Sequence, residues 1–95
     1  MADPTPEELL AQIRELKVGQ FLLSTGATLS SLAFAKLQAG ELEEARLAIG
    51  AIGAIVPFLQ GRIDDGPRRS LDQALTNLRL EYAEAVSASS VEPTE

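Results

Sequence analysis

Between Lys17 and Lys36 the chain carries no charge, and residues 18–35 read VGQFLLSTGATLSSLAFA. Such a stretch has to be covered by something, and its periodicity says how. Leu9, Ile13, Leu16, Gln20, Leu23, Ala27, Ser30 and Phe34 follow one another at steps of four and three, the spacing that keeps one seam of a helix against a partner. A second seam, Val18, Leu22, Thr25, Leu29 and Leu32, flanked by Phe21 and Ala33, exists only in the later half. A helix apolar on several faces is buried on several faces. Gly19, Gly26, Ala27, Ser30 and Ser31 are small enough to admit a neighbouring backbone, and each interior glycine costs about 1 kcal/mol of helix propensity against alanine. Close packing offsets that cost.

The local signals around this run predict three helices. Thr5, Pro6 and Glu8 form a start signal, with threonine as cap, proline in the first helical position and glutamate three residues after the cap. The first helix is expected over about 6–39, with a bend at Gly19 or Gly26, and Gly40 stops it. The second, about 41–60, opens on Glu41, Glu43 and Glu44, which suit the positive end of a helix dipole. Its stripe is Leu42, Ala45, Ile49, Ile52, Val56 and Leu59, with Gly50 and Gly53 widening the small-residue surface. Pro57 predicts a kink rather than a break. Gly61 ends this helix, and the short link at Gly40 makes the first two an antiparallel hairpin. The third, about 65–87, starts at an aspartate cap with Pro67 in its first turn, and buries Leu71, Leu75, Leu78 and Tyr82. Residues 1–5 are read as flexible and 88–95 as a disordered tail, so the single domain is 6–87.

At 95 residues with 4% aromatic content, the core must be built from small aliphatics, and oligomerisation would help to stabilise it. The expected architecture is all-α, with the long first helix in a hairpin and the last helix packed across it, assembled as a helical-bundle dimer. The self-interface is assigned to Leu16, Leu23, Gly26, Ala27, Ser30, Phe34, Gly50 and Gly53.

Chemistry is sparse. The chain has no histidine and no cysteine, so a proton shuttle near neutral pH, a thiol nucleophile and a disulfide are all missing. The hydroxyls of Ser24, Thr25, Thr28, Ser30 and Ser31 have no neighbouring base to activate them. Asp64, Asp65 and Gly66 lack the alternating ligands of a calcium loop and read as a helix cap. The reading is therefore non-enzymatic, with no cofactor and no metal. A net charge of -6 disfavours nucleic acid, and Arg62, Arg68, Arg69 and Arg79 are the candidates for surface recognition. The amino terminus MADPTPEELL has no basic stretch followed by an apolar one, and the expected compartment is the cytoplasm. Residues 18–35 approach the length of a membrane span, but Gln20 and five serines and threonines interrupt them. Membrane association is the alternative reading.

Several segments resemble the bacterial family known only as domain of unknown function 1844. The likeness is carried by Phe21 and Ser24, by Leu42, Glu43, Ala45, Arg46 and Ile49, by Gly61 and Ile63, and most specifically by Leu71, Asp72, Leu75, Leu78, Arg79, Tyr82 and Glu84. It covers about 18–85. The chain departs from that pattern at the short Gly40 link and at Pro57, Phe58, Leu59 and Gln60, which replace a lysine-rich end. The resemblance implies a small helical architecture and no activity. The genomic setting of some actinobacterial members, near translation initiation genes, implies an accessory role in a larger, translation-related complex as a further alternative.

Overall fold

The computed structural model describes residues 3–90, with side chains through Ala88. It is all-helical over that span, with four helices where three were expected: α1 (Pro6–Glu15), α2 (Val18–Gln38), α3 (Leu42–Leu59) and α4 (Asp65–Ser90).

The correction concerns the long first helix. It is interrupted at Leu16 and Lys17, both in extended backbone conformation, and so ends one helix and starts another two residues before Gly19. Neither Gly19 nor Gly26 is the breaking point. The reason is a coincidence of two weaknesses. Val18 and Gly19 are poor helix formers, and no other helix lies against the chain at this point to reward continuation. Lys17 caps α2 without any side-chain hydrogen bond, so no residue type announces the start.

The other boundaries follow their local chemistry. The Thr5 hydroxyl accepts the Glu8 N–H at 3.1 Å, and the Glu8 carboxylate accepts the Thr5 N–H at 2.8 Å, a reciprocal capping box. Gly40 takes φ of 78°. Its N–H donates to Leu37 O at 3.1 Å, and the Glu41 N–H donates to Lys36 O at 2.9 Å, the paired bonds of a glycine-terminated helix. The Lys36 amine also bonds Glu41 Oε1 at 3.0 Å, and that hydrogen bond holds it above its ordinary value of 10.5. Folding thus favours the protonated lysine. The contribution is complete at neutral pH and disappears as pH rises through the raised value. Gly61 repeats the left-handed stop at φ of 79°, and the helix before it passes through Pro57 without breaking. α4 continues to Ser90, three residues into the stretch read as tail; residues 91–95, like Met1 and Ala2, lie outside the described residues.

α2 and α3 form the antiparallel hairpin, and α4 returns along both. The core between them is Ala33, Ala48, Ile49, Ile52, Val56, Leu59, Leu71, Leu75 and Leu78. It contains no aromatic ring: Phe21, Phe34 and Phe58, the three phenylalanines of the chain, are all about half exposed. α1 stands apart. Among the described residues it buries none of its own side chains and packs along none of the other helices. The molecule is accordingly elongated, 63 × 35 × 17 Å with a radius of gyration of 17.5 Å, against about 12 Å for a compact chain of this length.

Ile52 is fully enclosed, whereas Leu80 is exposed. Ile52→Ala should destabilise the protein by about 2 to 5 kcal/mol, and Leu80→Ala by under about 0.5 kcal/mol, as measured by urea denaturation.

Candidate interaction surface

The feature that distinguishes this chain is the circumference of α2. At 100° per residue its apolar and small residues span roughly two-thirds of the helix, and Gln20, Ser24, Thr28, Ser31 and Gln38 cluster on one polar strip that also holds Ala35. The middle of the apolar arc, Gly19, Leu22, Gly26, Leu29, Ala33 and Leu37, faces α3, α4 and their connecting turn. Only Gly26 and Ala33 of α2 are fully buried. Two flanks are left over. One carries Val18, Phe21 and Leu32, exposed by 69%, 55% and 46%. The other carries Leu23, Ala27, Ser30 and Phe34, and borders α4.

This second flank forms one wall of an open groove. Leu23, Ala27 and Ser30 of α2 face Pro67, Ser70, Leu71 and Ala74 of α4 across a depression of about 350 Å³. It continues past Phe34, Asn77 and Leu78 to Glu81 in a second depression of about 360 Å³. Its lips are small and apolar, and the Ser30 hydroxyl is already satisfied by the Gly26 carbonyl at 3.0 Å. On the opposite flank Ile13 of α1 and Leu16 of the link meet Val18 and Phe21 around an apolar notch of about 240 Å³. The stripe of α1, Leu9, Ile13 and Leu16, is therefore continuous with the exposed edge of α2.

The residues assigned to the self-interface divide into two groups. Leu16, Leu23, Ala27, Ser30 and Phe34 lie on the two uncovered flanks or the groove. Gly26 and Gly53 are engaged within the chain. A Cβ at Gly26 would lie 2.6 Å from Leu71 Cδ2, and one at Gly53 would lie 2.8 Å from Arg79 Nη2. Gly50 faces open space, with nothing within 4 Å of such a Cβ. Small residues invite close approach but do not say whose backbone approaches. Leu9, Ile13 and Phe21, which the sequence places on or beside the two seams, are absent from that assignment.

The arginines do not converge. The Arg62 guanidinium lies 4.5 Å from the Phe58 ring centre and donates to Phe58 O at 3.0 Å. Arg68 is mostly covered, its Nε 3.7 Å from Asp65 Oδ1. Arg79 lies over Gly53, and Arg69 is exposed. Of the two aspartates read as caps, Asp64 immediately precedes α4, and Asp65 is its first residue and pairs with Arg68. No three His, Cys, Asp or Glu side chains gather among the described residues. What this groove and notch offer is mainly apolar shape.

Gly26→Leu should cost about 1 to 3 kcal/mol of stability by overpacking against Leu71, whereas Gly50→Ala should stabilise by about 0.5 to 1 kcal/mol through helix propensity alone; thermal denaturation of the two variants checks both. Comparison with protein-family models, with curated proteins and with solved structures gives no match for this chain.

Proposed function

We propose that this protein is a non-catalytic, self-associating helical module in which a second copy closes the uncovered flanks of α2. The observation that carries this reading is the placement of the phenylalanines: Phe21, Phe34 and Phe58 are about half exposed, while the core is aliphatic with Tyr82 half-buried at its edge. Phenylalanines contribute more to burial than most side chains, and aromatic residues are enriched in interfaces. An uncovered apolar patch of this extent marks a surface that meets another.

Area supports the same conclusion. The chain exposes 6968 Å², against about 5,300 Å² expected for a compact monomer of its mass. About 900 Å² of the difference remains even when full solvent exposure is allowed for the residues outside 3–90. A standard interface takes about 800 Å² from each partner. The resemblance to the uncharacterised bacterial family agrees with a small helical module and adds no activity to it.

Light scattering of the purified chain at micromolar concentration should give an integral multiple of 10.1 kDa, and a single-chain mass would overturn the proposal. Phe34→Glu should raise the dissociation constant about tenfold or more.

One observation favours a membrane reading. α2 is long and apolar enough to cross a bilayer by length and composition. Against it, Gly26 and Ala33 are committed to α3 and α4, and the polar strip would face lipid. Vesicle flotation decides: the chain should stay in the dense fraction, and co-flotation would favour membrane attachment.

A further inference from the structure

Resting on that reading, we infer that the copies associate by exchanging α1: the arm of each chain lies in the α2–α4 groove of the other. Four observations lead there.

First, α1 is an ordered, capped helix with no cover. It has 10 residues, and isolated helices shorter than about 12 to 15 residues are marginal in water. Leu9 and Ile13 on it, and Leu16 just after it, are exposed by 46%, 60% and 56%. Such a helix persists by docking its apolar face.

Second, the groove is the complement of the arm. The arm presents large aliphatic side chains in a row; the groove is lipped by Ala27, Ser30, Ser70 and Ala74 over a floor that includes Leu71. Knobs of one kind meet holes of the other. The lengths agree as well, since ten helical residues span about 15 Å and the groove from Leu23 to Phe34 about 16 Å.

Third, the hinge keeps the arm off its own groove. Leu16 and Lys17 are both extended, and Ile13 lies beside Val18 and Phe21, on the flank of α2 away from the groove. Exchange of an identical element between protomers is a low-cost route to a dimer when a short hinge does this.

Fourth, one interface then uses both uncovered flanks of α2 together with the arm. The arm is continuous with Val18 and Phe21 on one flank, and the groove occupies the other flank. A two-fold axis pairs arm with groove twice, burying both flanks of α2 in each chain, in keeping with the excess surface already noted. With the arm parallel to α4, Arg14 comes to the end of the groove that carries Glu81.

The chain has no cysteine, so introduced thiols report without background. An Ile13→Cys chain is mixed with an Ala74→Cys chain that carries a size tag, and the mixture is oxidised and run without reductant. Arm exchange predicts the mixed covalent dimer as the main product, and Ile13→Glu in the full chain should raise the dissociation constant about tenfold or more. A light-scattering dimer that yields no mixed product overturns the exchange while leaving self-association intact. Predominance of the Ile13→Cys homodimer overturns it in favour of arm-to-arm pairing. A doubly substituted chain that closes a disulfide within itself overturns it in favour of an arm folded onto its own groove. A single-chain mass overturns self-association and the exchange together.

Discussion

The contact of Leu71 with Gly26 fixes how close α4 lies to α2, and the rest of the arrangement depends on that distance. The Leu71 side chain occupies the space that a Cβ on residue 26 would need. With the two helices drawn together there, α3 covers them from one side only, and Ala33, Ala48, Ile52 and Leu75 fill the space between. A core made of such small units can be dense, but it is narrow. Three helices arranged so tightly have little inward-facing surface for a helix whose apolar arc covers two-thirds of its girth. Phe21, Phe34 and Phe58 lie outside that core, each about half exposed, while Tyr82 packs at its edge.

The helix ends were legible in the sequence wherever one residue type alone could satisfy the backbone. Thr5 and Glu8 were readable as a capping box, and Gly40 and Gly61 as left-handed stops, because the hydrogen bonds they make are local. The hairpin followed from the brevity of the Gly40 link. The core face of α4 was readable too, since Leu71, Leu75 and Leu78 repeat at helical spacing and are buried together. The break at Leu16 and Lys17 was not legible. No cap or proline marks it, Gly19 lies just beyond it, and the period of the first seam runs through it undisturbed. The helix is broken where weak helix formers, Val18 and Gly19, coincide with a stretch that no other helix lies along, and the second of these is a property of the tertiary arrangement.

The surface was half legible for a related reason. Periodicity reveals that a residue is apolar and which face it shares, so the excess on α2 was visible in Val18, Phe21, Leu32 and Phe34. It cannot assign a small residue to a particular partner. Gly26 faces Leu71 of its own chain, Gly53 faces Arg79 of its own chain, and Gly50 faces no one. Only the packing tells these three glycines apart. The arginines illustrate the same point, since Arg62 and Arg68 appear grouped in sequence yet each is occupied within its own turn.

The central claim is that a second copy covers the flanks of α2. Isotope-filtered nuclear Overhauser spectroscopy on an equimolar mixture of labelled and unlabelled chains tests it at the atoms concerned. The account predicts contacts between chains to the ring protons of Phe21 and Phe34. Rings that contact only their own chain, with chemical shifts unchanged by dilution, would contradict it.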